Sequence, residues 1–308
     1  MLAKTRDREK IIFAVSYLDI IQALITLSTI GFAILTMVSF EQIGIIPILF
    51  FSIMQICLNV TQYDIVMHNF IHTPFFKRRN LNRFYEVLCS ISAVQSFTAS
   101  KIQHMAHHKY ANDIVDFTSG QTKDPTSTYR HGVCGKHESF LSYSLLSPLR
   151  ELIEAREYFG RMQVRGRISV EIGAIFLYLG LMALYNWRYF LFFVLIIYVS
   201  QILICAQNYC EHFGAMPGNR MADSVSCYGR LYNIIWFNNG YHQEHHYRPG
   251  VHWTRLKSLR EQMLSEDSRR VVEHAHIFNL PIFKHASLTP ENYGQRGRAS
   301  LKAPHENC

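Results

Sequence analysis

Four apolar stretches constrain this chain more than any other feature of its sequence. They lie at residues 15–38, 43–60, 168–185 and 189–207. Each is close to the roughly 20 residues that a helix needs to cross a bilayer. Buried helices of a water-soluble protein usually keep one polar face, whereas these stretches are apolar nearly all round. The sequence therefore predicts four transmembrane helices.

The rest of the chain is polar, because the mean hydropathy of the whole sequence is only +0.01. The spans form two close pairs, separated by one long polar segment and followed by another. Since backbone polar groups must be paired within hydrocarbon, each pair is expected to form a helical hairpin. We expect one domain over residues 1–289 and a disordered polar tail at 290–308.

The distribution of positive charge predicts the orientation in the membrane. Of 31 lysine and arginine residues, only Arg188 lies in a short connection between paired spans. Cationic segments stay on the cytoplasmic side during insertion, so both chain ends and the central segment are expected there. The net charge of +8 also raises nucleic-acid binding as an alternative. No recognition helix or aromatic-basic pattern supports that alternative, and no nucleic-acid partner is predicted.

Smaller features complete this outline. The apolar segment 84–97 is too short to span and is expected to lie along the membrane interface or to re-enter the bilayer. Segment 251–270 mixes basic and apolar residues at roughly helical spacing, which predicts a surface or headgroup-bound helix. The basic residues 1–10 precede a run that is too long for a signal peptide, so a retained helix is expected. Seven cysteines without a Cys-x-x-Cys pair predict no disulfide framework.

Histidines form the most informative pattern. Nine of the 16 histidines fall into four compact groups, and Asn208 precedes one of them. On a helix, positions i, i+3 and i+4 share one face, so each group directs its imidazoles toward one point. The groups are His68 and His72; His104, His107 and His108; Asn208 and His212; and His242, His245 and His246.

The number of histidines indicates two metal ions. Imidazole binds Zn, Cu, Fe or Ni, and nine histidines with an Asn208 amide exceed what one ion coordinates. The first pair follows the second span, and His212 follows the fourth, so both are expected at the same cytoplasmic depth. The predicted fold is therefore an all-α integral membrane protein with a cytoplasmic helical cap that carries a catalytic dimetal site.

Other polar residues near these groups have open roles. Asp64, Glu211 and Glu244 lie beside or inside the groups, where a carboxylate either orients an imidazole or is simply solvated. The remaining histidines lack the grouping and are predicted to be ordinary surface or core residues: His131, His137, His252, His274, His276, His285 and His305.

At these residues the chain resembles the membrane fatty acid desaturase superfamily, from the first span to about residue 255. The stretch HMAHHKYAN with the later Asp124 and Pro125 resembles the second histidine box of desaturases, and HQEHHYRP resembles the third. The resemblance implies that the nine histidines bind two non-haem iron ions and that Asn208 lies at the same site. It implies O₂-dependent oxidation of an unactivated C–H bond, with desaturation of a fatty-acyl or lipid-like chain as the expected outcome.

One stretch points to a different branch. NYCEHFG, at residues 208–214, resembles a signature of alkane hydroxylases, although the first box HNFIH and the start of the second box depart from that group. Hydroxylation of an alkane or fatty-acyl chain by the same centre is therefore the alternative. The four predicted spans are more similar to those of a desaturase.

Partners follow from the same resemblance. The sequence contains neither a cytochrome b5 His-Pro-Gly-Gly motif nor a cysteine-rich ferredoxin pattern. A separate electron donor of ferredoxin or cytochrome b5 type with its reductase is expected, together with membrane lipid and a hydrocarbon-chain substrate. An alternative of another class is a zinc-dependent hydrolase or a metal transporter. Catalytic zinc uses about three protein ligands, and transporters place ligands near the membrane midplane, so both fit the pattern poorly.

Overall fold

In a computed structural model of the chain, the described residues are 12–116, 118–133, 135–159 and 162–279. They form a mostly helical structure with two compact units. One unit contains Met1–Ile102 and Pro148–Ile204, and the other contains Gln103–Ser147 and Cys205–Cys308. The basic residues 1–10 and the predicted disordered tail 290–308 lie outside the described residues.

Helices account for nearly all regular structure in the described ranges. The α-helices are α1 (Asp19–Ser39), α2 (Ile45–Thr61), α3 (His68–His72), α4 (Arg79–Ala93), α5 (Phe97–Tyr110), α6 (Phe140–Phe159), α7 (Met162–Tyr185), α8 (Trp187–His212), α9 (Arg230–Ile235) and α10 (His242–Tyr247). A π-helix at Gln62–Met67 joins α2 to α3 without a break. Short 3₁₀-helices follow at Trp253–Gln262, Glu266–Ser268 and His276–Asn279. Strands β1 (Ser226–Cys227) and β2 (Val271–Val272) pair in parallel, with Ser226 opposite Val271.

The prediction of four membrane-spanning helices is confirmed at the level of length and composition. Their bounds are Asp19–Ser39, Ile45–His72, Gln163–Tyr185 and Trp187–His212. The second and fourth helices extend further than the apolar pattern indicated, to His72 and His212. The backbone ladder continues there through polar residues, which hydropathy alone treats as the end of a span.

Segment 84–97 belongs to two helices, and its location relative to the membrane stays a prediction. Helix α4 ends at Ala93, and Val94 takes the left-handed conformation with φ of 52°. The Val94 N–H donates to the Ile91 carbonyl and the Gln95 N–H donates to the Ser90 carbonyl. A left-handed residue after the last turn closes a helix in this way. Helix α5 then begins at Phe97.

The helix expected over residues 251–270 forms only in part. A 3₁₀-helix ends at Gln262, a second short turn follows, and the chain then enters strand β2. Arg269 is buried, and its guanidinium donates to the side chain of Gln243 and to the Tyr228 hydroxyl. These contacts draw the end of the segment inward, and such tertiary hydrogen bonds are invisible to helical spacing.

An aromatic core fixes the helix that carries the first histidine pair. Phe70 lies between His68 and His72 on α3, and only 2% of its surface is exposed. Its ring centroid lies 5.0 Å from that of Phe75, 4.8 Å from that of Tyr85 and 5.1 Å from that of Phe97. These contacts pack α3 against α4 and the beginning of α5.

Buried hydrogen bonds supplement this packing at the π-helix. The Thr26 hydroxyl donates to Gln62 Oε1 at 2.9 Å and lies 2.6 Å from the Tyr85 hydroxyl. The Asn69 amide donates to Gln22 Oε1 at 3.2 Å. A π-helical turn often marks a functional region, and here it directly precedes His68. Hydrogen bonds from helix α1 and aromatic contacts from helix α4 thus hold the π-helix and the first histidine pair in place.

Replacing Phe70 with alanine tests this packing. Removal of a buried phenylalanine is expected to cost about 3–5 kcal/mol, because the cavity left behind adds to the lost burial. The denaturation midpoint of the purified protein in detergent should fall accordingly. Phe84→Ala is the matched control, since Phe84 is 60% exposed and its loss should leave the midpoint nearly unchanged. Equal midpoints for the two variants would refute the importance of this core.

Candidate metal centre

Three histidines of the second unit bring their ring nitrogens together. His104 and His108 are one turn apart on α5, and His245 lies on α10. The Nε2 atom of His108 lies 3.0 Å from that of His104 and 3.0 Å from that of His245. One nitrogen from each ring falls within 4.8 Å of the others.

A second group lies in the same unit and is completely buried. His107 on α5, His212 at the end of α8 and His246 on α10 each offer a nitrogen within 4.8 Å of the others. The ring centroids of His107 and His212 are 4.5 Å apart. His242 is adjacent, with its Nε2 atom 3.3 Å from His212 Nε2. Gly214 follows His212 with φ of 73°, a conformation that favours glycine and lets the chain turn away.

The donor geometry fits bound metal ions. Two nitrogens bound to one ion at about 2.1 Å and at a right angle lie roughly 3 Å apart. The Nε2 atoms of His104, His108 and His245 have this spacing. Among the described residues, the buried Nε2 atom of His246 has no hydrogen-bond partner. Buried polar atoms are almost always paired, so a ligand-directed role explains this nitrogen. The imidazole-rich set suits iron, zinc, copper or nickel.

Asp124 orients His107. Its Oδ2 atom lies 2.8 Å from His107 Nδ1 and accepts the Asn112 backbone N–H at 2.7 Å. Burial opposes ionisation of both groups, but their mutual attraction and hydrogen bond raise the pKa of His107 and lower the pKa of Asp124. A proton kept on Nδ1 leaves Nε2 available for a metal, as carboxylate-histidine-metal triads require. Sequence analysis quoted Asp124 only as part of a motif.

Asp223 contacts two further imidazoles. Its backbone carbonyl lies 3.1 Å from His212 Nδ1, and its Oδ1 atom lies 3.4 Å from His246 Nδ1. Burial raises the pKa of Asp223 to about 7. Burial and the neighbouring imidazoles lower the pKa of His246, so this ring stays neutral, as a metal ligand must. No spacing rule connects Asp223 with the histidine boxes, and sequence analysis missed it.

The three carboxylates that the sequence places near the histidine groups have different surroundings. Glu211 Oε2 lies 3.6 Å from His242 Nε2, while its Oε1 accepts the Gln207 amide at 2.9 Å. Glu244 instead accepts the hydroxyls of Ser226 at 2.7 Å and Tyr228 at 2.5 Å. Glu211 therefore lies beside the histidines, whereas Glu244 ties α10 to strand β1. The third, Asp64, is half-buried in the π-helix of the first unit.

Asn208 lies at the edge of the second group. Its Nδ2 atom donates to the Tyr143 hydroxyl at 2.7 Å and to the Thr126 carbonyl at 3.4 Å. The Thr126 hydroxyl lies 2.9 Å from His107 Nδ1. These bonds link Asn208 to the residues that orient His107, and its role as a metal ligand stays a prediction.

The first histidine pair belongs to the other unit. His68 and His72 lie on α3 with ring centroids 5.4 Å apart, and His68 is buried. Their participation in the same centre stays a prediction from the sequence.

The ungrouped histidines have varied surroundings. His131 and His274 are exposed, and His252 caps the first 3₁₀-helix. Burial lowers the pKa values of His137 and His276 to about 4. His276 donates from Nε2 to the Val225 carbonyl at 2.9 Å, as a core histidine does. Two more, His285 and His305, lie outside the described residues.

The four long apolar helices and the clustered imidazoles define a class, a membrane protein with a histidine-lined candidate metal centre. Residues 43–278 match the fatty acid desaturase family. The chain belongs to this family, which confirms the resemblance drawn from the histidine boxes.

Two curated relatives were found. The chain is 29% identical over 214 residues to a sphingolipid delta(4)-desaturase of Schizosaccharomyces pombe. It is 23% identical over 215 residues to a sphingolipid delta(4)-desaturase of Candida albicans. Each match covers 64% of this chain and 56% of the relative. The chain therefore spans only a little over half the length of the curated relatives that it matches.

Replacing Asp124 with asparagine tests the orientation of His107. The amide lacks the negative charge that holds the Nδ1 proton, so the affinity for metal should fall by about 10- to 100-fold. Titration of metal-free protein with Fe²⁺ under anaerobic conditions measures this change. Asp116→Asn is the control, because Asp116 is exposed and accepts the nearby backbone N–H groups of Thr118 and Ser119. An unchanged affinity in Asp124→Asn would show that His107 does not depend on this carboxylate.

Proposed function

We propose that this protein desaturates a lipid chain with O₂ at a centre of two iron ions. The observation that carries the proposal is the convergence of two groups of largely buried imidazoles from α5, α8 and α10. Membership of the fatty acid desaturase family supports lipid desaturation as the general activity. The relatives named sphingolipid delta(4)-desaturases favour a sphingolipid or fatty-acyl chain as the substrate.

The proposed metal ligands are the nine grouped histidines, with Asn208 beside them. Seven of these histidines lie in the second unit. The first pair completes the set in the proposal because it directly follows a membrane-spanning stretch, as His212 does. The nine are His68, His72, His104, His107, His108, His212, His242, His245 and His246.

Each part of the site has a defined task in this proposal. Two iron ions bound there, with O₂, supply the oxidising power that an unactivated C–H bond requires and that side chains lack. The Asp124 carboxylate and the Asp223 carbonyl accept ring N–H groups and keep the opposite nitrogens directed inward. Burial of His107, His212 and His246 excludes water. The position of the substrate chain then decides between desaturation and hydroxylation.

The proposed topology follows from the charge pattern. Two helical hairpins with the histidine-bearing cap on the cytoplasmic side account for Arg188 as the one cation in a short connection. A basic cytoplasmic face would receive a separate ferredoxin or cytochrome b5 type electron donor. The proposed catalytic domain is residues 1–289, and 290–308 is proposed to be a disordered tail.

Expression in a host with a simple lipid profile tests the activity. Mass spectrometry should detect lipids that are lighter by two hydrogens, because desaturation removes two hydrogen atoms. His107→Ala should abolish the product, while His274→Ala should retain it because His274 is exposed. Products that are heavier by one oxygen would establish the hydroxylase alternative. Turnover without O₂ would point to a zinc-dependent hydrolase and would contradict the proposal.

Metal analysis tests the ligand set. Protein purified under reducing conditions should contain two iron ions per chain, and a chelator should remove activity that Fe²⁺ restores and Zn²⁺ does not. The combined variant His68→Ala and His72→Ala should bind fewer than two iron ions, because it lacks two of the proposed ligands. Some iron should still bind, because the second unit retains its seven histidines. Full iron content in this variant would exclude the first pair from the centre.

A further inference from the structure

The carboxylate of Glu171 binds the N-terminus of the helix that carries the second histidine box. Glu171 lies on α7 and is only 2% exposed. Its Oε2 atom accepts the backbone N–H of Thr98 at 2.9 Å and the hydroxyl of Ser96 at 2.5 Å. Its Oε1 atom accepts the hydroxyl of Thr98 at 2.6 Å. One buried carboxylate therefore receives three donors from the first residues of α5.

The other N–H groups at this helix end are satisfied by neighbouring residues. Phe97 N–H donates to Ser90 Oγ at 3.0 Å, and Ala99 N–H donates to Ser96 Oγ at 3.2 Å. Ser96 thus occupies the N-cap position, whose side chain commonly accepts such a bond. A helix N-terminus carries a partial positive charge, which a carboxylate complements. The Thr98 N–H instead donates to the carboxylate of Glu171, which lies on another helix.

Helix α5 offers few apolar contacts that would fix its position along its own axis. Phe97 is its one large fully buried apolar side chain among the described residues, and the buried positions that follow in the first turn are the smaller residues Thr98, Ala99 and Ser100. Small side chains interlock weakly with their neighbours. Three charge-assisted hydrogen bonds to a rigid membrane-spanning helix supply the missing restraint, because such bonds are short and directional.

The helix continues without interruption from Phe97 to Tyr110 and carries His104, His107 and His108. Thr98 and His104 are six residues apart, which corresponds to about 9 Å along the axis. A shift or rotation at the first turn is transmitted to the imidazoles, since an α-helix is stiff over this length.

We propose that Glu171 is a positioning residue that sets the axial position of the second histidine box from the membrane-spanning helix α7. This inference rests on the proposed metal-binding function. Glu171 contacts no grouped histidine in the hydrogen bonds above, so it acts through the backbone of α5. Glu171 on α7 would then support the site in addition to the carboxylates that contact the imidazoles.

Titration of metal-free protein with Co²⁺ tests the proposal, because the visible absorption of bound Co²⁺ reports the ligand geometry. Glu171→Gln keeps the size of the side chain but removes its charge and replaces one acceptor with a donor. The apparent Co²⁺ affinity should fall by about tenfold, with altered visible bands. Glu266→Gln is the control, because Glu266 is an exposed carboxylate that pairs with Arg260. It should match the wild-type protein.

Two further variants separate positioning from general stability. Ser96→Asp in the Glu171→Gln background returns a carboxylate to the same helix end, since aspartate is a preferred N-cap residue. This double variant should recover most of the affinity and the original bands. Thr98→Val removes one of the three hydrogen bonds, and its effect should not add to that of Glu171→Gln, because both act on the same contact.

The outcomes distinguish this inference from the function on which it rests. Wild-type protein that binds fewer than two Co²⁺ ions would overturn the proposed metal centre. Two bound ions in the wild type, with unchanged affinity and bands in Glu171→Gln, would overturn only the positioning role. Weaker binding with unaltered bands and no recovery by Ser96→Asp would also overturn it. If Glu171→Gln does not fold, the affinity and bands of Thr98→Val decide the question by the same criteria.

Discussion

The structure depends on the requirement that imidazole nitrogens from separate helices point into the same small volume. His104, His108 and His245 bring Nε2 atoms to 3.0 Å spacing although they come from α5 and α10. Neutral imidazoles gain little from one another at this distance, and burial penalises their protonation. Bound metal ions would resolve this conflict by taking the lone pairs. The residues that contact the outer ring nitrogens direct the opposite nitrogens inward.

Support for the rings comes in successive layers. Asp124 and the carbonyl of Asp223 bind the outward nitrogens of His107 and His212. Asn112 and Thr126 in turn bind the Asp124 carboxylate. At the far end of α5, Glu171 holds the first turn of the helix. In the proposed arrangement, each layer limits the movement of the one inside it.

Membership of the fatty acid desaturase family agrees with this arrangement. The NYCEHFG stretch that resembles alkane hydroxylases has a structural meaning in this chain. Within it, Asn208 binds Tyr143, Glu211 binds Gln207, and His212 joins the buried group. These three polar residues therefore lie in or beside the histidine cluster.

The sequence by itself determined the four spans and the grouping of the histidines, since hydropathy and helical spacing are local properties of neighbouring residues. Local patterns also set the limits of that analysis. They ended the second and fourth spans too early and did not show that the helix over 251–270 is interrupted. Only the tertiary structure decided which groups serve the site from a distance. Asp124 is 17 residues from His107, and Glu171 is 73 residues from Thr98. Contacts across such separations arise from packing of whole helices, which no spacing rule encodes.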